Sequence, residues 1–197
     1  AANDRFWNLQ WYLADDTVAS SDGRLQTEVK MVPAVTTAGF PELWPTDNRD
    51  GGVPDPATMG PSWIMIGTEG GFLPQPVVVP NQPITWNNDP TTFNAGNVLD
   101  HSLLLGPAER ADVIVDFSAF AGKTLILYND APAAFPALDP RYDYYTGAPD
   151  MTDTGGHSGP QVGFGPNIRT IMQIKVNAGG GQPFNLTALQ NAFTTTG

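Results

Sequence analysis

Apolar and polar residues alternate from Arg5 to Leu13, with Trp7, Leu9, Trp11 and Leu13 on one side and Asn8, Gln10 and Tyr12 on the other. A period of two sustained over that length predicts a strand. The same period returns from Leu104 to Asn129. Gly106-Pro107 stops the apolar run Leu103 to Leu105, because proline fixes φ and lacks a ladder N–H. Ala111, Val113, Val115 and Phe117 then alternate with Asp112, Ile114 and Asp116. Ser118 to Gly122 is short enough to close an antiparallel turn, after which Leu125 and Leu127 resume the apolar face against Thr124, Ile126 and Tyr128. The stretch reads strand, turn, strand, turn, strand, and predicts the centre of an antiparallel sheet.

Other segments give shorter signals. Asp15-Asp16 and Ser20-Ser21-Asp22-Gly23 supply turn chemistry, and Leu25 to Val32 predicts a brief strand that Pro33 ends. Ser62 to Gly67 is apolar on both faces, which suits a strand covered on both sides. Pro76 to Pro80 and Pro83 to Trp86 are short, proline-bracketed strand candidates, and Asp89 to Asp100 is polar and irregular. Ile168 to Val176 predicts the last long strand, with Ile168, Thr170, Met172, Ile174 and Val176 inward and Arg169, Gln173 and Lys175 outward. Two Pro- and Gly-rich stretches, Pro33 to Pro61 and residues 130 to 167, read as long surface connections that cover sheet edges. Ala178-Gly179-Gly180-Gly181 is a flexible joint, and Asn185 to Gln190 predicts one or two helical turns capped by Asn185. Many short strands with frequent turns and hardly any helix argue for an all-β Greek-key sandwich or barrel.

Composition narrows the function. The 197 residues are 41% hydrophobic, enough for a real core, and the net charge of −11 repels nucleic acid and anionic membranes. No run approaches the ~20 apolar residues of a membrane-spanning helix. Zero cysteines exclude disulfides, iron–sulfur clusters, thiolate metal sites and a cysteine nucleophile. Neither terminus carries an initiator Met or a signal sequence, so the chain is expected to be part of a longer one.

Few residues invite chemistry. The two histidines, His101 and His157, are too few for a closed metal site; both are expected to be ordinary solvent-facing or hydrogen-bonded side chains. Asp139, Asp143, Asp150 and Asp153 share one loop, where Ca²⁺ binding competes with a plain solvated acidic loop, and their spacing fits no EF-hand. Trp44, Tyr142, Tyr144 and Tyr145 lie in the two long loops and either stack on a sugar or phenol or pack beneath their own loops. Glu109 and Arg110, near Asp112 and Asp116, are expected to form a surface ion pair holding a turn. Ser118 has no Gly-x-Ser-x-Gly context, and the sequon Asn185-Leu186-Thr187 is of a kind common by chance. No catalytic, cofactor-binding or metal-ligating residue is assigned in the chain.

Three blocks in order, Asn3-Asp4-Arg5-Phe6-Trp7-Asn8-Leu9, Ile66 to Pro74 (Ile-Gly-Thr-Glu-Gly-Gly-Phe-Leu-Pro) and Leu105 to Phe117 (Leu-Gly-Pro-Ala-Glu-Arg-Ala-Asp-Val-Ile-Val-Asp-Phe), resemble the middle domain of three-domain multicopper oxidases. The likeness is to the bacterial branch of spore-coat laccase, bilirubin oxidase and phenoxazinone synthase, and it extends through Val176. It implies a cupredoxin-like β-sandwich at residues 1–177, expected to be short of the family's first strand, and a connector at 178–197 leading to a third domain. It further implies an intact parent that oxidises a substrate at one copper and reduces dioxygen to water at a trinuclear cluster. In the family those coppers sit in the first and third domains on His-x-His and His-Cys-His segments, which this sequence does not contain. The expected role is therefore a copper-free middle domain, inactive alone, with the first and third domains as partners and copper only in the parent. An extracytoplasmic or secreted location goes with that resemblance. An incomplete barrel with an open edge is also expected to self-associate. The alternative is a free-standing β-sandwich that binds carbohydrate or protein through its aromatic loops.

Overall fold

The computed structural model describes residues 5–18, 25–133, 138–162, 164, 167–179 and 181–196. The expected turn at Ser20 to Gly23 and the Asn3-Asp4 start of the first block lie outside them. Nine strands are described: β1 (Trp7–Leu13), β2 (Met31–Val32), β3 (Val53–Pro54), β4 (Trp63–Thr68), β5 (Gly71–Val79), β6 (Leu103–Leu105), β7 (Ala111–Val115), β8 (Thr124–Asn129) and β9 (Thr170–Lys175), followed by helix α1 (Leu186–Thr196). They form a four-stranded sheet in the order β6-β1-β8-β9, a three-stranded sheet β5-β4-β7 and a small β2-β3 ladder. Every ladder is antiparallel. The molecule is an all-β sandwich, as its alternation pattern predicts.

The Leu104 to Asn129 stretch is divided between the layers. β6 and β8 flank β1 in one sheet, whereas β7 pairs with β4 in the other. Ser118 to Gly122 therefore does not close a hairpin. A 3-10 turn at Ser118–Phe120 carries the chain from one sheet to the other instead. Period-two alternation says which face of a strand is apolar, and both sheets need such a face, so the pattern cannot distinguish a hairpin from a crossover.

Between the layers Leu9, Trp11, Leu103, Leu125 and Leu127 pack on Trp63, with Val113, Val115, Ile171 and Ile174 around them. The opposite face of the four-stranded sheet is also covered. Tyr12, Ile126 and Tyr128 meet Val29, Ala34, Trp44 and Val53 there. The Pro33 to Pro61 connection thus supplies core and lies over a face, not along an edge. It contains a strand, β3, despite its prolines; Pro54 is tolerated because the ladder has only two strands.

Three further expectations are corrected. Leu25 to Val32 yields only Met31–Val32 as strand, since Gln26 adopts φ 61°, a left-handed conformation that interrupts extended backbone. Pro83 to Trp86 forms no strand; Trp86 makes a single bridge to Val98. In β9 a register shift opposite Leu127/Tyr128 turns Ile171 into the core and leaves Met172 48% exposed, while Arg169, on the face away from that core, is buried under Asp143 and Tyr145. One extra residue in a ladder exchanges the two faces, which alternation read from sequence cannot foresee.

β5 is an outer strand. Residues 73–76, including Pro74 and Pro76, oppose Ile66 alone, and prolines with a bulge discourage further pairing at an edge. Helix α1 is longer than the expected one or two turns and rests against β5, with Phe193 edge-on to Phe72 at 6.2 Å. Asn185 Oδ1 accepts from Ala188 N–H at 2.9 Å, the expected cap.

Candidate functional site

Polar residues of β1 point away from the interlayer core, and the chain after β8 brings a carboxylate to meet them. Asn8 Nδ2 and Gln10 Nε2 each donate to Asp130 Oδ1 at 2.7 Å, and Ile84 N–H donates to Asp130 Oδ2 at 2.7 Å. Asn8 also donates to Gln82 O at 2.9 Å, while its Oδ1 accepts from Ser102 N–H at 2.7 Å. Tyr12 donates to Gln10 Oε1. These bonds join β1, β8 and the chain at 81–86 into one unit. Burial pushes the Asp130 carboxyl above its usual range, opposed by the Arg49 guanidinium and the Asn8 and Ile84 donors. Burial likewise raises the Tyr128 phenol to about 12.

Two guanidiniums adjoin this unit. Arg49 pairs with Asp47 at 2.7 Å, donates to Ile84 O at 2.7 Å, lies 4.0 Å from Asp130 and sits over the Trp86 ring at 4.7 Å. Arg169 Nη2 donates to Asp143 Oδ2 at 2.7 Å, and its guanidinium stacks on Tyr145 at 3.7 Å. Burial disfavours the Arg169 charge, but Tyr128 and Asp143 outweigh it and hold the group above its ordinary value. Between the two arginines opens a cleft of about 160 Å³, walled by Val53, Pro54, Pro132 and Pro140. In the sequence Asn8 and Gln10 stand out only as polar positions alternating with the apolar ones of β1. Their partner Asp130 and the two arginines were not foreseen, because they come from segments far apart in the chain.

The other candidates disperse. Asp139 pairs with Arg141 at 2.6 Å, Asp143 turns inward to Arg169, and Asp150 Oδ1 accepts from Thr152 N–H at 2.9 Å. Asp153 is exposed on a 3-10 turn. No group of three or more His, Cys, Asp and Glu able to hold a metal ion occurs among the described residues. His101 Nδ1 lies 2.7 Å from Ser102 O; His157 Nδ1 lies 2.9 Å from Ser158 O, with its ring 5.3 Å from that of Tyr144. Two imidazoles in such local contacts, with no thiolate in the chain, do not fit a copper ligand set.

Trp44 is buried and donates from Nε1 to Pro54 O at 3.2 Å, and Tyr145 is buried under Arg169. Tyr144 is half-buried, which leaves only Tyr142 widely exposed among the four loop aromatics. They do not form a stacking platform. Glu109 holds the Gly106-Pro107 turn by accepting from Gly106 N–H at 2.6 Å, and Arg110 donates to Ala108 O at 2.9 Å. The turn is thus fixed through backbone groups more than through the expected ion pair. Ser118 N–H donates to Asp116 Oδ1 at 2.9 Å, which makes this serine part of a turn.

No family model matches the chain. Over shorter segments it is similar to known proteins. A laccase of Bacillus stratosphericus is 38% identical over 68 residues, which is 34% of this chain and 9% of that protein. Multicopper oxidase LPR1 of Arabidopsis thaliana is 31% identical over 81 residues, 41% of this chain and 10% of the relative. A laccase of Bacillus subtilis is 35% identical over 72 residues, 36% of this chain and 10% of the relative. The matched segments span about a tenth of the length of each relative. Taken with the antiparallel sandwich, these similarities relate the chain to the multicopper oxidases.

Proposed function

We propose that the chain is the copper-free structural middle domain of a multicopper oxidase, lying between two copper-bearing cupredoxin domains and inactive alone. The intact parent would couple one-electron oxidation of a substrate to reduction of dioxygen to water, with all of its copper on the flanking domains. One observation carries this reading: a chain similar to laccases holds two histidines 56 positions apart and no cysteine. The polar residues it does bury are engaged in joining loops to a sheet, as a scaffold requires. In this reading residues 1–177 form the domain and 178–197 the connector to the third domain. Self-association runs through an open sheet edge; β5 is blocked by its prolines, which leaves the outer strands β6, β7 and β9.

The reading frame around the chain tests the proposal. His-x-His segments on both sides, with a His-Cys-His segment downstream, are expected. A frame without them, together with oxidase turnover by this chain alone, would overturn it.

A further inference from the structure

Residues 84–102 leave the sandwich as a narrow finger and return to it. Thr85 N–H donates to Asp100 O and Leu99 N–H to Thr85 O, each at 2.8 Å; Asn87 N–H donates to Asn97 O at 2.9 Å and Gly96 N–H to Asn87 O at 2.7 Å. At the tip Asn87 Nδ2 donates to Thr92 Oγ1 at 2.7 Å and to Asn94 Oδ1 at 2.9 Å, and Asp89 Oδ1 accepts from Thr91 N–H at 2.9 Å. Phe93 stands at this tip, 109% exposed, and Leu99 on the returning arm is 57% exposed. A lone exposed apolar side chain is ordinary. Here, however, side-chain bonds within the tip hold the ring out in solvent instead of letting it fold back. An aromatic side chain on a loop ordered before any contact is made is the form a docking anchor takes.

The surroundings of the finger narrow its partner. A ring so exposed encloses no small ligand. Residues 90–99 carry no charge, as at the centre of a protein interface, and residues 84–102 contain no Lys or Arg to draw an anionic membrane. The base of the finger meets the start of the described chain. Phe6, Trp86 and Val98 pack against Ile84 and Ala131, Arg5 Nη2 donates to Ala131 O at 2.8 Å, and Ser102 N–H donates to Asn8 Oδ1 at 2.7 Å. Whatever precedes Arg5 therefore joins the sandwich beside the finger, whereas α1, at the other end of the chain, rests on β5 of the other sheet. We propose, resting on the middle-domain reading above, that the finger docks on the domain preceding this chain in its parent, with Phe93 seated in an apolar pocket of uncharged rim.

The test places a photoreactive ring at the tip of the finger in the full-length parent. Phe93→p-benzoylphenylalanine is irradiated and the cross-linked peptide is identified by mass spectrometry. A cross-link to residues ahead of Ala1 in the same molecule is expected; one to residues beyond Gly197, one to a second copy, or none at all would overturn the docking. Phe93→4-fluorophenylalanine, followed by fluorine NMR with a soluble gadolinium chelate, should be broadened at least about fivefold less in the parent than in the 197-residue chain, because a seated anchor is shielded from solvent. Equal broadening would also overturn it. Phe93→Ser should leave the melting temperature of the 197-residue chain unchanged within about 1 °C, since the ring lies in solvent there. A parent with His-x-His segments on both sides and an unprotected Phe93 would overturn the docking and leave the middle-domain reading intact. An upstream cross-link in a frame without those segments would do the reverse, and a frame with no domain ahead of Ala1 would overturn both.

Discussion

On one face of the four-stranded sheet Leu9, Trp11, Leu125 and Leu127 pack against Trp63 of the other layer; on the opposite face Asn8, Gln10 and Asp130 form a hydrogen-bonded unit beneath the long loops. Both faces are dry. Leu125 and Gln10 are each 0% exposed. The first face is held by a non-directional force proportional to area, and tolerates exchange among apolar shapes of similar volume. The second is held by directional bonds whose cost, if one partner goes, is an unpaired polar group in a low dielectric. A flat sheet supplies the apolar partner for the first face. Irregular loops, whose own backbone groups need partners, are better joined by amide and carboxylate side chains.

The largest expected effect is on the polar face. Asp130→Ala leaves the donors of Asn8, Gln10 and Ile84 facing a void and should destabilise by about 3–5 kcal/mol in denaturant titration. Leu125→Ala on the apolar face should cost about 2–5 kcal/mol, from lost transfer energy plus the cavity left behind. An Asp130→Ala cost of less than about 1 kcal/mol would break the comparison, because the network would then be dispensable.

Acidity separates the faces further. The folded-state pKa of Asp130 lies above its ordinary value of 3.8, so the folded protein binds the extra proton between the two values. Its contribution is complete below 3.8 and is lost as pH rises through the raised value. Asp55, lowered by the Lys30 hydrogen bond and the Ala57 N–H, has the opposite sign, its contribution being lost as pH falls through its lowered value. Asp130→Asn should remove the declining component above pH 3.8 in stability measured against pH, whereas the Leu125→Ala deficit should stay constant across that range. An unchanged slope in Asp130→Asn would contradict the assignment.

Smaller effects come from the loop layer. Gly52 has φ 70°, and a Cβ there would lie 2.2 Å from Val32 O. Gly52→Ala should cost about 1–3 kcal/mol by calorimetry through backbone strain in the β2-β3 ladder. Arg141→Ala removes an exposed partner of Asp139 and a surface contact over the Tyr142 ring, and should leave the melting temperature unchanged within about 1 °C.

Alternation made β1, β7 and β8 legible and a continuous apolar run made β4 so, and the Gly106-Pro107-Ala108-Glu109-Arg110 turn, with its flanking strand, carried the family resemblance. The division of that stretch between layers was not legible, since period two is the same for either sheet. Arg169 does point away from the interlayer core, yet it is buried because Asp143 and Tyr145 of a distant loop cover that face, whereas the inward turn of Ile171 follows from the β9 register shift against β8, a contact the local sequence does not encode. The polar unit was half visible. Asn8 and Gln10 announce that something polar must meet them, but Asp130 is more than a hundred residues away, and only the fold supplies it.

Copper content tests the central claim most directly. The chain is mixed with excess Cu(II), passed over a chelating resin and measured for bound metal and visible absorption. A copper-free structural domain retains no stoichiometric copper and stays colourless; one tightly held copper per chain with a blue absorption band would contradict it.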